Sequence, residues 1–376
     1  CRPLAYCPGG PYASAHAHAV SAAARRRVLL LCGGRSDEHE VSLSSAASVL
    51  AAAEPPLELV PRVIRRDGRL LSEAASRAAL AAGRSVGPDI DVAGADDGLV
   101  RGIAALDVGA IDAVFPLLHG PNGEDGTVQG LLRVAGLPFV GSGVLGSAAA
   151  MDKITMKRLF ASAGLPQVAW RPAMRAAWRR DPDAVMGTLD DLPWPRFVKP
   201  SNLGSSVGIA RARDEAEQAA SLDAAFEHDR RALVEAAVVG GRELEVAVLG
   251  NDAPEASAVG EVRVEGDAFY DYEHKYTAGA ADLDVPARLP AETAERARAL
   301  ALRAFDLVDA AGLARVDLFL TETGEVLLNE INTLPGFTAT SMYPQLWQAA
   351  GVSYAELIAR LVELGLEREG ELAASA

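Results

Sequence analysis

Residues 327–342 read Leu-Leu-Asn-Glu-Ile-Asn-Thr-Leu-Pro-Gly-Phe-Thr-Ala-Thr-Ser-Met. They begin as a short apolar strand that polar residues then interrupt. Glu330 and Asn332 are two apart, so a strand turns both to one face. Both present hard oxygen atoms of the kind Mg²⁺ takes. Pro335-Gly336 turns the chain and exposes a backbone N–H, and Thr and Ser hydroxyls follow. Upstream, Arg315-Val316-Asp317 repeats the alternation and sets a guanidinium beside a second carboxylate. Two carboxylates, an amide and a guanidinium on paired strands make a platform for a metal and a phosphate. Two edge strands with solvated polar faces fit the same spacing equally well.

The basic residues add a second signal. The chain has 32 Arg and only four Lys, at 153, 157, 199 and 275. A Lys that survives such a bias marks a place where a compact ammonium is needed and a broad guanidinium does not fit. Lys153 follows Met151-Asp152. Lys199 ends the apolar run Phe197-Val198 and precedes the Gly/Ser stretch 201–208. Such a loop offers backbone N–H groups and the hydroxyls of Ser205 and Ser206 to phosphate oxygens. It is not a P-loop, because the Lys precedes the glycines. Lys275 lies in Phe269–Tyr276, which packs three of the seven Tyr into seven residues. With the small and acidic run 277–286 behind it, that segment reads as a mobile lid. Glu38 and His39 stand at a helix start, where helix-dipole pairing and a ligand role are equally consistent. His119 ends an apolar run and suits a base, a substrate contact or a turn.

The elements that must position these residues follow from length and pattern. The 376 residues suffice for two or three domains. A net charge of −15 argues against nucleic acid or an anionic membrane as main partner. No apolar run reaches the roughly 18 residues of a membrane span. Cys1, Cys7 and Cys32 form neither a disulfide framework nor a metal spacing. Residues 1–26 read as a disordered extension or a misassigned start.

Residues 27–32 form a buried strand, Gly33-Gly34 a turn, and a helix runs on to Ala53, the opening of a doubly wound unit. A strand at 57–64, a helix at 70–82 and a loop insertion at 83–98 follow. Strands are expected at 111–120 and 137–143, with a helix at 127–135 between them. One helix is expected over 147–163. Residues 167–195 carry no readable chemistry. Further strands are expected at 197–200, 232–238 and 243–249, and helices at 214–228, 291–311 and 354–364.

Seven segments in this order resemble the ATP-grasp ligases, and among them the D-alanine–D-alanine ligase family. They are Gly33–Ser42, Leu118–Gly120 with Gly123–Gly126, Met151–Lys153, Val198–Gly208, Tyr270–Tyr276, Arg315–Asp317 and Asn329–Ser341. The resemblance spans about residues 27–366. It implies an α/β fold of three domains, with ATP between the central and C-terminal ones: a doubly wound N-terminal domain at 27–146, a central domain at 147–238 and a C-terminal domain at 239–376 whose lid is 270–286. It further implies ligation of two D-alanine molecules through an acyl phosphate, for peptidoglycan precursors, by a cytoplasmic homodimer. ATP and two Mg²⁺ ions, with Mn²⁺ as a substitute, would be required.

By resemblance, Lys153, Lys199, Ser206 and Lys275 would meet ATP phosphates. Glu235, Ala236 and Val238 would meet adenine, and Glu243 the ribose. Asp317, Glu330 and Asn332 would hold the metal. Glu38 would take the ammonium of the first D-alanine, with His119 near its carboxylate. Arg315 and the Gly336 N–H would form the oxyanion hole. Ser341 and the Met342 N–H would hold the carboxylate of the second D-alanine. Tyr276, Ser205 and Glu38 would close the lid. The competing readings are a D-alanine–D-lactate ligase, another ATP-grasp carboxylate–amine ligase, and a non-catalytic nucleotide-binding protein.

Overall fold

The computed structural model describes residues 25–82, 98–104, 108–204, 208–263 and 282–374. Its first sheet is parallel. Strand β1 (Arg26–Gly33) is apolar on both faces and lies at the centre. After helix α1 (His39–Ala52) comes β2 (Leu57–Ile64), then α2 (Glu73–Ala82) and α3 (Leu99–Ala104), then β3 (Ala113–Leu117). The order is β2-β1-β3, so the chain leaves β1 towards one side and returns on the other. A crevice opens at the carboxyl ends of β1 and β3, where such a switch in strand order places ligands. Glu38 follows β1 and His119 follows β3. Gly33 turns the chain there at φ +87°, and a Cβ would lie 2.2 Å from the Ile64 carbonyl oxygen.

Helix α4 (Thr127–Val134) follows. The strand expected at 137–143 shrinks to a single bridge from Phe139 to Val114. Pro138 has no N–H to give, and Gly141 bends away at φ +97°. The helix expected over 147–163 is two helices, α5 (Val144–Met151) and α6 (Lys153–Ser162). Asp152 breaks them apart in an extended conformation. Its Oδ1 accepts the Thr155 N–H at 2.8 Å and so caps α6. Its Oδ2 accepts from the Ser201 hydroxyl at 3.0 Å and from Arg231.

The second sheet is antiparallel, in the order β4-β7-β5-β6. Strand β4 (Trp170–Met174) leads into α7 (Arg175–Arg180) and α8 (Pro182–Gly187). Then come β5 (Arg196–Pro200), β6 (Ala210–Ala212), α9 (Glu215–His228) and β7 (Arg231–Ala236). Val198, Ala232 and Val234 pack under α8 and α9 with Trp178 and Phe226. The opposite face carries Lys199 and Glu235.

The third sheet has five antiparallel strands, β10-β9-β8-β11-β12 in space. They are β8 (Arg242–Gly250), β9 (Glu255–Arg263), β10 (Asp282–Asp284), β11 (Gly312–Leu320) and β12 (Val326–Asn332), with α10 (Ala291–Leu307) between β10 and β11. Residues 282–284, expected within the lid, are instead a strand paired with β9. Helix α10 stops short of the expected Ala311, because Asp309 takes φ +59° and the Ala310 N–H returns to the Phe305 carbonyl. Neither β9 nor helix α11 (Met342–Ala349) is anticipated by the sequence reading. Helix α12 (Tyr354–Ala374) runs past its expected end at Leu364. It packs on β3 and α1 as well as on β8 and β11, while α11 packs on β8 and β9, so Val28, Phe115, Phe337, Tyr343 and Leu361 share one core.

Asp152 ties α6 to the loop after Lys199 and to β7. Asp152→Ala should therefore cost about 2–4 kcal/mol, through loss of a helix cap and of a mostly buried ion-pair partner. Urea unfolding checks this, and a loss under about 0.5 kcal/mol would contradict it.

Candidate functional site

A cavity of about 390 Å³ lies where the three sheets meet. Its floor is the outward face of β8, β11 and β12. Cross-strand pairing sets Asp317 directly opposite Glu245 on one side and Glu330 on the other. Arg315 stands opposite Asn332. Between Asp317 and Leu318 the register shifts, so Leu318 faces Leu328 and Asn329 is the extra residue of a β-bulge. The bulge lets Leu328 enter the core with Leu318 while Glu330, two residues on, faces the cavity. Plain alternation would have put both on one side.

Arg315 is clamped beside this floor. Its Nε and Nη2 donate to the two Asp317 oxygens, each at 2.7 Å, and Glu245 lies 3.2 Å from Nε. Asn332 Oδ1 accepts the Leu334 N–H at 2.9 Å, which uses one of its two lone pairs. Among the described residues no three His, Cys, Asp or Glu side chains converge as a preformed metal cage. Two carboxylates and one amide oxygen fit the sparse set that Mg²⁺ takes when phosphates and water complete its shell.

The roof is basic. Lys153, the first residue of α6, reaches to 3.6 Å from Glu330 Oε2 and donates to the Leu203 carbonyl at 2.7 Å. Lys199 pairs with Glu235, and Lys157 Nζ lies 3.0 Å from the other Glu235 oxygen. Burial opposes the charge on Glu235, but the two ammonium groups hold its carboxyl down at about 2. Ala236, Val238 and Glu243 follow around the same wall. Lys157 escaped the sequence reading because no motif surrounds it; its rarity among 32 Arg was the available signal.

The third wall comes from the first sheet. The Glu38 side chain does not cap α1 but lines the cavity, in space left by Gly120 and Gly204. A Cβ on those glycines would come within 2.6 and 3.0 Å of its carboxylate. The His119 Nδ1–H donates to the Leu334 carbonyl at 3.0 Å, which leaves a lone pair on Nε2. Burial keeps this imidazole neutral, against the pull of Glu38 and the Leu334 bond. A neutral ring that lines the cavity and keeps an unpartnered Nε2 can take a proton or accept a hydrogen bond. Glu124, not singled out in the sequence, lies beside Glu38 and accepts the Gly120 N–H at 2.9 Å. Burial and then the Glu38 charge push its carboxyl up to about 8.

Loop 333–341 joins these walls. The Phe337 N–H donates to Ser45 Oγ at 3.3 Å and the Ala339 N–H to Ser48 Oγ at 3.1 Å, both on α1. Tyr354 donates to the Phe337 carbonyl at 2.6 Å. Gly336 lines the cavity, whereas Ser341 and Met342 are not among its lining residues. Ser341 stands at the N-terminus of α11, its Oγ taken by the Thr338 N–H at 3.1 Å. The Met342 side chain is buried against Gly260 of β9. Ser205, Ser206, Lys275 and Tyr276 lie outside the described residues.

Comparison with known proteins bears on this arrangement. The family model described as D-ala D-ala ligase N-terminus matches residues 27–142, and D-ala D-ala ligase C-terminus matches 159–363. The chain is 56% identical to a D-alanine–D-alanine ligase of Deinococcus radiodurans over 346 residues, 91% of this chain and 99% of that protein. It is 44% identical to one of Bacillus velezensis over 346 residues, 90% and 97% of the two chains. Among solved structures, it is similar to the D-alanine-D-alanine ligase of Coxiella burnetii at 33% identity and a TM-score of 0.78, covering 94% of this chain and 97% of that one. It is also similar to the VanG D-Ala:D-Ser ligase of Enterococcus faecalis at 32% identity and a TM-score of 0.76, covering 91% and 99%.

The raised Glu124 carboxyl has a measurable consequence. A carboxyl whose folded pKa lies above its unfolded value supports the fold fully at low pH and loses that support as pH rises. Here the window runs from the ordinary 4.5 to about 8. Glutamine has no such proton, so Glu124→Gln should gain on the wild type in melting temperature across that window. A difference constant with pH would show that Glu124 ionises like an ordinary carboxylate.

Proposed function

The chain belongs to the D-alanine–D-alanine ligase family, and we propose that it joins two D-alanine molecules in an ATP-dependent reaction. One observation carries this reading. The carboxylate and imidazole after β1 and β3 share a single cavity with the lysines and the carboxylate floor of the other two sheets. Amino-acid recognition and phosphate recognition thus meet in one place.

The chemistry required matches the residue types. An amine does not attack a carboxylate at useful rates, so the carboxylate of the first D-alanine is phosphorylated by ATP to an acyl phosphate. Phosphoryl transfer needs positioning and charge neutralisation. Lys153 and Lys199 would meet the phosphates, with Ser206 and Lys275 as further contacts. Glu235, Ala236 and Val238 would receive adenine and Glu243 the ribose. Asp317, Glu330 and Asn332 would hold Mg²⁺, which when bound neutralises phosphate charge. Glu38 would pair with the ammonium of the first amino acid, with His119 near the group that reacts. Arg315 and the Gly336 N–H would face the oxyanion that forms when the second amine attacks. Ser341 and the Met342 N–H, at the start of α11, suit the second carboxylate. Ser205 and Tyr276 would close the lid over Glu38. A cytoplasmic homodimer that supplies peptidoglycan precursors extends the proposal and rests on the family resemblance alone.

Purified protein with Mg²⁺, ATP and D-alanine should release phosphate and form D-alanyl-D-alanine. L-alanine, D-serine and D-lactate serve as competing acceptors. Predominant depsipeptide would move the reading to ester formation, and ATP binding without phosphate release would make the chain a non-catalytic binder.

Glu330→Gln should lower turnover on the order of 100-fold and raise the Mg²⁺ concentration needed for half-maximal rate. Near-normal turnover at saturating Mg²⁺ would remove Glu330 from the metal site.

A further inference from the structure

Lys157 stands one helical turn after Lys153 and so shares its face of α6. Lys153 reaches Glu330, while Lys157 turns to Glu235. The Lys157 side chain is 1% exposed and that of Glu235 3%. Glu235 and Lys199 line the cavity; Lys157 does not. Phe197 pairs with Glu235 across β5 and β7, so Lys199, two residues beyond Phe197, emerges on the same face as that carboxylate. The result is one buried carboxylate between two ammonium groups, one of them behind the wall and one at it.

The charge count of this triad is informative. Lys199 and Glu235 alone would sum to zero, and a phosphate would have to win Lys199 from a buried carboxylate left with no partner. Such an abandoned charge is strongly disfavoured. With Lys157 behind it, Glu235 keeps a cation when Lys199 turns towards a ligand, and the wall presents a net positive charge. We propose that Lys157 is a positioning residue that balances Glu235 from behind, so that the charge of Lys199 is available to nucleotide phosphates. The inference rests on the reading of the cavity as an ATP site. It also explains why a lysine persists at 157 in an arginine-rich chain: the pocket behind Glu235 is closed and admits a compact ammonium. Burial and the Lys199 charge work against the Lys157 ammonium, and Glu235 opposes them; Glu330 adds a further negative charge on both lysines, and Glu243 on Lys199.

The test uses the full-length protein and two probes, ATP and tripolyphosphate, which has phosphates and no base. Binding is measured by calorimetry for the wild type, Lys157→Met, Glu235→Gln and the double variant. Lys157→Met should weaken tripolyphosphate about tenfold, the effect of roughly one partly screened charge. The double variant restores the net charge of the triad and should return to within about threefold of the wild type. Glu235→Gln should bind tripolyphosphate at least as tightly as the wild type. A merely structural Lys157 would lower the melting temperature without this ordering. If Lys157→Met does not fold, the other two variants decide. Recovery in the double variant supports the proposal, and a double variant tenfold weaker than the wild type overturns it. Wild-type affinity in a folded Lys157→Met also overturns it. Failure of the wild type itself to bind ATP would instead refute the ATP reading.

Discussion

The carboxylates on the floor and roof of the cavity are held in place by cations, and for Glu245, Glu330 and Glu235 those cations come from other elements. Asp317 and Glu245, neighbours across β11 and β8, share Arg315. Glu330 on β12 answers to Lys153 of α6, and Glu235 on β7 to Lys157 of α6 and Lys199 of β5. Removing charges from water is costly unless each finds a partner of opposite sign and good geometry. The two antiparallel sheets are therefore locked across the cavity by α6. The start of that helix is set by Asp152, which caps it and binds Arg231.

A second coupling runs between the first sheet and the loop after β12. Ser45 and Ser48 of α1 accept N–H groups of the loop, and His119 donates to the Leu334 carbonyl. Tyr354 holds the Phe337 carbonyl from below, inside the core shared by β1, β3, α11 and α12. Gly336 is thereby fixed relative to Glu38. The proposed donor substrate site and the proposed oxyanion donor cannot shift independently without breaking these hydrogen bonds.

Much of this was legible in the residues. The pairing of Glu330 with Asn332, and of Arg315 with Asp317, follows from the two-residue period of a strand. The scarcity of lysine pointed to Lys153 and Lys199. Other features left no local trace. The bulge at Asn329 depends on how β12 meets β11 and not on the composition of either. Strand β9 carries Gly260 because Met342 approaches it closely, with a Cβ there 2.8 Å from the sulfur. Such a glycine weakens the strand pattern from which β9 would be read. The broken helix at Asp152 looked continuous because both halves have helical composition. Lys157 and Glu124 sit in unremarkable positions until folding surrounds one with a carboxylate and crowds the other against Glu38.

The sequence by itself determined the strands and helices with strong apolar periods, the order of the motifs and the residue types available for phosphate and metal chemistry. These are local properties, set by spacing along the chain. Tertiary structure alone decided which charges are neighbours. It put Glu245 beside Arg315, Lys157 behind Glu235 and Glu124 beside Glu38. The reason is physical: ionisation and hydrogen bonding inside a protein depend on desolvation and on charges a few ångströms away, and those distances exist only once the three sheets have met.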